Sequence, residues 1–235
     1  MTDETVSGEA ASDDGQLAAG AFSDWLAAAR GALRGERGSD VPCGSCTACC
    51  ASSQFVHLAP DETDALAHIP AALLFPAPGR PPGHVLLGYD EHGRCPMLAD
   101  DGCSVYEHRP RACRTYDCRV FPAAGIEPDG GDQHAIAERT RRWRFEHPTE
   151  HDRIEHESVR AAARFLADHA GELPRGIAPV TATQRAVLAV KLYQVFVAVD
   201  PVAGWRAVPS PAPDAVRAAA ALLADGEHDV DRRPE

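Results

Sequence analysis

The chain has 235 residues, of which 44% are hydrophobic and 25% are charged. This composition is typical of a globular protein and excludes a fibrous, wholly disordered or membrane-spanning chain. Thirty-five acidic residues against twenty-three basic ones give a formal charge of −12. This charge argues against both nucleic acid and membranes as partners.

The beginning of the chain predicts an acidic, disordered tail over residues 1–15. The first twenty residues contain five acids and no base, so we expect no secretory signal and a cytoplasmic protein. Thiols are kept reduced in that compartment. The eight cysteines therefore indicate metal or redox chemistry rather than disulfide bonds.

The first half of the chain predicts short elements around the cysteines. Apolar residues at helical spacing predict an amphipathic helix over residues 17–33, within an N-terminal segment 16–40. A short helix opened by Pro60 and Asp61 should stop before Pro70. Residues 76–83 predict a loop, and residues 84–90 and 94–98 predict a hairpin that delivers Cys95.

The second half predicts helices over residues 135–147, 149–170, 181–199 and 214–224. Thr181 and Gln184 form a capping-box pattern. The apolar residues of that helix cover most of its circumference, so we expect it to be the most buried one. Two sets of side chains are expected on solvated faces: the histidines His147, His151 and His156, and the arginines Arg139, Arg141, Arg142 and Arg144. The alternative for these arginines is an anionic partner.

The first cysteine group is a C-x2-C-x2-C-C run of Cys43, Cys46, Cys49 and Cys50. A two-residue gap lets a tight loop bring two sulfurs to one metal. Adjacent cysteines are awkward ligands for a single tetrahedral ion. Such a run therefore favours a second site or a cluster.

The second group consists of Cys95, Cys103, Cys113 and Cys118. Four plus four cysteines match one or two thiolate-ligated centres, and spacing alone leaves the sorting open. Three cysteines at successive gaps of three, with a remote Cys95-Pro96, partly match the C-x2-C-x2-C-x3-C-P run of bacterial iron–sulfur proteins. The pattern therefore slightly favours an iron–sulfur cluster over Zn²⁺.

Other residues near the cysteines give weaker signals. His57 and His108 could replace a thiolate ligand, but with eight cysteines available a surface or core role is the better interpretation. Arg109 could donate hydrogen bonds to a negative metal–sulfur centre, or it could form an ordinary surface ion pair. Glycine-rich nucleotide loops, zinc-protease and serine-hydrolase motifs, and the C-x3-C-x2-C run of radical S-adenosylmethionine enzymes are absent from the sequence.

The runs CGSCTACC and CPML...DGCSVYEHRPRAC, with Tyr106, Arg109 and Pro110, resemble the YkgJ-type or CxxCxxCC cysteine-cluster family over about residues 41–122. The resemblance implies a domain that chelates zinc or iron through these cysteines. A similar signature occurs in flagellin lysine N-methylases, which implies an iron–sulfur enzyme as an alternative.

The predicted fold is α+β and mainly α. It has a small, irregular, metal-stapled core (41–122) with a short hairpin, five or six surrounding helices, and a C-terminal helical region (123–235). The predicted function is metal binding by the eight cysteines. The alternatives are an iron–sulfur enzyme and a zinc-stapled protein-interaction module, and the sequence decides neither the cellular role nor any protein partner.

Overall fold

The computed structural model describes residues 15–36, 38–39, 41, 43, 45–100, 102–130, 133–173, 177–200 and 204–230. Apart from residue 15, the predicted acidic tail lies outside these residues. The described helices are α1 (Phe22–Leu33), α2 (Thr63–His68), α3 (Arg111–Thr115), α4 (Val120–Ala124), α5 (His134–Arg142), α6 (Glu150–Asp168), α7 (Ala182–Leu192) and α8 (Pro213–Val230). The described strands are β1 (Leu17–Ala21), β2 (Val56–Leu58), β3 (Leu74–Pro76), β4 (Val85–Leu87), β5 (Leu98–Ala99), β6 (Gly102–Cys103), β7 (Trp143–Glu146), β8 (Val197–Asp200) and β9 (Gly204–Ala207).

The predicted class, α+β and mainly helical, is confirmed. Helix accounts for 49% and strand for 15%. The described part of the chain holds eight α-helices rather than five or six. None of the helices described here is long and apolar enough to cross a membrane.

The chain divides into two compact units. The first, called here the cysteine unit, consists of Met1–Leu17, Gly31–Cys118 and Gly130–Arg142. The second, called the helical unit, consists of Ala18–Arg30, Arg119–Asp129 and Trp143–Glu235. All eight cysteines therefore fall in one unit.

The cysteine unit is built on an antiparallel sheet in which β4 lies between β2 and β3. Leu58 and Leu87 of this sheet and Ala65 and Ile69 near α2 form its buried apolar cluster. The elements are short, and four buried residues make a small core. Loops and short elements therefore carry the cysteines.

The predicted hairpin of residues 84–90 and 94–98 is wrong. A turn does form, since Gly93 N–H donates to the carbonyl of Asp90 at 3.0 Å. However, β4 pairs with β2 and β3, and Leu98 pairs with Cys103. Both partners of β4 precede it in the chain, at Val56–Leu58 and Leu74–Pro76, and a turn signal that follows the strand cannot reveal them.

The helices predicted over residues 17–33 and 135–147 extend too far. Leu17–Ala21 and Trp143–Glu146 are strands, and they pair with each other. Buried and exposed residues alternate along both strands, and this period of two is typical of a strand. The end of α1 is as predicted, since Gly35 follows it with φ +75°. Glycine adopts that conformation without strain.

The helical unit is organised around α6. Thr149 caps this helix by accepting a hydrogen bond from Asp152 N–H, and the carboxylate of Asp152 accepts one from Thr149 N–H at 3.0 Å. Asp152 also accepts a hydrogen bond from Ser23 N–H at 2.9 Å. The predicted helix start is confirmed, and the same carboxylate ties α6 to the beginning of α1.

The prediction that the 181–199 helix is the most buried is wrong. Eleven of the nineteen residues of α6 are buried, against five of the eleven of α7. Thr181 caps α7 as predicted, accepting from Gln184 N–H. The helix ends at Leu192, and the chain continues into a 3-10 turn and the hairpin of β8 and β9.

His156 is a further correction, because it is 8% exposed rather than solvated. Its ring stacks on Phe22 at 4.1 Å between centroids. Its Nδ1 lies 2.7 Å from Nε2 of His147. The imidazole is thus part of the core of the helical unit.

Candidate metal centre

The first cysteine group lies on a tight turn followed by a short 3-10 helix. Cys46 N–H donates to the carbonyl of Cys43 at 2.9 Å. Cys49 and Cys50 lie on the 3-10 helix Ala48–Ala51. The four cysteines of this group are therefore presented by a turn and a 3-10 helix rather than by an α-helix.

The second group comes from three separate local structures. Cys103 ends β6, Cys113 lies in α3, and Cys118 follows α3. Cys95 is tied directly to the first group, because its N–H donates to the carbonyl of Cys50 at 2.7 Å. The backbone therefore joins the two groups.

All eight cysteines line one cavity of about 490 Å³. None of the eight, all of which the structure describes, is in a disulfide bond. Seven are half-buried and Cys49 is exposed. Two groups separated in sequence by 44 residues thus face a common space. Eight soft sulfur donors suit zinc and iron alike.

The sulfur atoms are not gathered around a single point. Four thiolates on one zinc ion lie about 3.8 Å from one another, since each zinc–sulfur bond is about 2.3 Å. Among the described residues, the ligand atoms found within 4.8 Å of one another in a set of three belong to histidine and aspartate, and no three cysteine sulfurs form such a set.

The thiols differ in how readily they lose a proton. A hydrogen bond from Cys50 lowers the pKa of Cys49 to about 7 and raises that of Cys50. Burial, with the charges of Cys49 and Cys46, raises the pKa of Cys43 to about 11. Burial also raises the pKa of Cys113 to about 12. Cys49 is therefore the thiol best prepared to bind a metal near neutral pH, because the thiolate is the ligand.

Arg109 is one of the residues that line the cavity. Its Nε donates to the carbonyl of Tyr106 at 2.7 Å, and its guanidinium sits 3.5 Å from the centre of the Tyr106 ring. Its positive charge adds to the hydrogen bond from Cys50 in lowering the pKa of Cys49, and it partly opposes the rise that burial causes in the pKa of Cys113. Arg109 thus stabilises the thiolate forms of two potential ligands.

Arg139 is a residue that the sequence analysis assigned wrongly. It is 9% exposed rather than solvated and lines the cavity with Ile136, one turn earlier on α5. Its Nη2 donates to the carbonyl of Cys43 at 3.3 Å. The sequence did contain a signal. Apolar Ile136 is expected to face the interior, and Arg139, three positions later, lies on the same face of the helix.

The two candidate histidine ligands lie elsewhere. Nε2 of His57 is 3.0 Å from Nδ1 of His84, and His108 contacts the carboxylate of Asp64. Neither belongs to the residues that line the cysteine cavity. Tyr116, which the sequence analysis did not single out, does line it, and burial raises the pKa of its phenol.

Comparison with known families matches residues 42–141 to the CxxCxxCC model, whose description is "Putative zinc- or iron-chelating domain". Comparisons with curated proteins and with solved structures found no match. The matched segment contains all eight cysteines, from Cys43 to Cys118, and it includes Arg109 and Arg139. Residues 42–141 therefore match the family model of a cysteine domain that is described as chelating zinc or iron.

Proposed function

We propose that residues 42–141 hold iron as one or two iron–sulfur centres, bound by the eight cysteines. The observation that carries this proposal is that all eight line a single cavity of about 490 Å³. An iron–sulfur cluster carries its cysteines on separate iron atoms, so its thiolates are farther apart than those on one zinc ion. The described cysteine sulfurs, no three of which lie within 4.8 Å of one another, are compatible with such a cluster.

The charges around the cavity support the same proposal. A thiolate-ligated cluster is negatively charged, and the cavity is lined by two arginines, Arg109 and Arg139. Such positive groups stabilise the cluster and adjust its reduction potential. We propose a cytoplasmic, reducing environment, since exposed Cys49 must stay reduced to act as a ligand.

The test is metal and sulfide analysis of protein purified without oxygen and without added metal. We expect iron and acid-labile sulfide in equal amounts and a broad absorption band at about 400 nm. The double variant Cys46→Ser/Cys49→Ser should lose both. The control Ser45→Ala, in the same loop, should keep them.

Two results would contradict the proposal. One is zinc without sulfide in a colourless protein, which would favour a zinc-stapled interaction module. The other is full iron and sulfide content in the double cysteine variant, which would place the centre on other residues.

The size of the cavity favours a second candidate, an iron–sulfur enzyme of the kind implied by the resemblance to flagellin lysine N-methylases. Small-molecule sites measure roughly 300–1,000 Å³, and this cavity lies within that range. Such an enzyme needs an iron with an open coordination position. Added cyanide should then change the electron paramagnetic resonance spectrum of the reduced protein, and an unchanged spectrum would indicate a closed centre.

A further inference from the structure

A group of metal-ligating side chains lies outside the cysteine cavity. It consists of Asp64 and His68 on α2 and His108 on the 3-10 turn Tyr106–His108. Asp64 and His68 are four residues apart on one helix and therefore share a face. The turn brings His108 onto that face from 40 residues further along the chain.

The two imidazole rings stack face to face, 3.4 Å apart between centroids and within 3° of parallel. Nδ1 of His108 lies 3.0 Å from one carboxylate oxygen of Asp64 and 3.1 Å from the other. Nδ1 of His68 lies 3.6 Å from the same carboxylate and 2.8 Å from the backbone carbonyl of Asp64. One ligand atom from each of the three residues lies within 4.8 Å of the other two.

These separations suit a shared metal ion. Nitrogen and oxygen ligands lie about 2.0–2.1 Å from zinc, so two ligands of one tetrahedral ion are about 3.3–3.4 Å apart. The two distances from Nδ1 to carboxylate oxygen, 3.0 Å and 3.6 Å, lie on either side of that value. Binding of one ion by both imidazoles requires the rings to rotate out of their stack, because the lone pair of an imidazole nitrogen lies in the plane of the ring. It also requires Nδ1 of His68 to leave the carbonyl of Asp64.

We propose that Asp64, His68 and His108 form a binding site for a divalent transition-metal ion, separate from the cysteine cavity. Two imidazoles and one carboxylate favour Zn²⁺, Ni²⁺ or Co²⁺, and the absence of sulfur from this set makes it a poor iron–sulfur site. Asp64 and His68 are exposed, so water completes the coordination. The site does not depend on the metal proposed for the cysteines.

The positively charged side chain nearest to this group, among its described contacts, is Arg114. Nη2 of Arg114 lies 4.0 Å from Asp64, but the guanidinium of Arg114 donates to the backbone carbonyls of Arg109 at 2.6 Å and Glu107 at 3.3 Å. These two stronger contacts hold Arg114 at the edge of the group. The Asp64 carboxylate therefore keeps its closest contacts with the imidazoles.

An ordinary ion pair elsewhere in the chain provides a matched comparison. His134 and Glu138 on α5 are also four residues apart, exposed and in contact, with 3.1 Å between Nε2 and the carboxylate. This pair has one imidazole and one carboxylate. A single such pair should not hold a metal ion firmly, whereas the three-residue group should.

The experiment is a calorimetric titration of the full chain, as purified and with its metal content measured, with NiCl₂. We expect about one further Ni²⁺ per chain, with nitrogen and oxygen neighbours in its X-ray absorption spectrum. His68→Gln and His108→Gln should each weaken this binding at least tenfold, since even the loss of a supporting residue costs about 10–100-fold. His134→Gln should leave it unchanged.

Two controls separate this site from the cysteines. The visible spectrum and the iron content should be the same in His68→Gln as in the parent chain, and circular dichroism should confirm that the variant is folded. Cys46→Ser/Cys49→Ser should still bind the added Ni²⁺. Ni²⁺ binding that is unchanged in both histidine variants, or that shows sulfur neighbours, would overturn the proposal.

Discussion

The two units of this protein are stabilised in different ways. In the helical unit, α6 runs for nineteen residues, is capped at its start and buries eleven side chains. In the cysteine unit the described α-helices α2, α3 and α5 have six, five and nine residues. The apolar cluster described there holds four buried residues, with seven partly buried ones packed against it. Short elements with so little apolar burial are marginal without a metal or a similar cross-link. From this comparison we propose that a bound metal supplies, in the cysteine unit, the stability that apolar packing supplies in the helical unit.

The strongest test of this difference is metal removal. An excess of chelator, added without oxygen, should unfold much of the cysteine unit and leave α6 and α7 folded. Metal binding by thiolates contributes directly to folding, by about 10–16 kcal/mol in small zinc domains. Hydrogen exchange should show loss of amide protection over residues 45–100 and little change over residues 150–168.

The control for this test is the same chelator already saturated with metal, which should change nothing. Equal loss of protection in both units would show that the stabilities of the two units are coupled. Protection that persists in the cysteine unit after the metal has been removed would show that its apolar cluster is sufficient.

The reciprocal test removes apolar packing from the helical unit. Phe196 is fully buried, and its backbone carbonyl accepts a hydrogen bond from Ser158 at 2.9 Å. Phe196→Ala should lower the free energy of unfolding by about 3–5 kcal/mol. Denaturant unfolding followed by circular dichroism measures this change.

The matched control is Val180→Ala, since Val180 is 84% exposed and the change should stay within about 0.5 kcal/mol. The metal content per folded chain should be the same in both variants. A loss of metal in Phe196→Ala but not in Val180→Ala would contradict the separation of the two stabilising mechanisms.

Features set by neighbouring residues were predictable from the sequence. Thr149 and Thr181 begin α6 and α7 because a threonine side chain can accept a hydrogen bond from an N–H three residues later. The spacing of the first cysteine group is a similar local signal, since two-residue gaps favour tight turns, and Cys46 N–H donates to the carbonyl of Cys43 in such a turn. These signals lie within a few residues of one another, so the sequence alone displays them.

Features set by distant partners were not predictable in this way. Leu17–Ala21 is a strand because it pairs with Trp143–Glu146, more than 120 residues away. The same residues fit a helical pattern when viewed alone. Arg139 has the appearance of a solvated residue in an arginine-rich helix, and its burial depends on a cavity formed by loops from another part of the chain.

The smallest expected effect concerns pH and the core of the helical unit. Burial, with the charges of Arg160 and His147, lowers the pKa of His156 from 6.5 to about 3. The unfolded chain therefore binds a proton that the folded chain does not bind between these two pH values. The contribution of His156 is complete above pH 6.5 and is lost as the pH falls towards 3. From pH 6.5 to pH 5 the loss should be about 2 kcal/mol.

His156→Phe should remove this part of the pH dependence, because phenylalanine keeps an aromatic ring against Phe22 and has no group to protonate. His134→Gln, at an exposed position, should keep the parent's dependence. The measurement is denaturant unfolding of the helical unit at several pH values, followed by the helical signal that survives metal removal. A parent-like slope in His156→Phe would assign the acid sensitivity to other groups. Loss of the pH dependence in His156→Phe would show that the helical unit keeps its full stability only while the buried imidazole of His156 stays neutral. Stability that depends on apolar packing is then sensitive to acid at a single buried side chain.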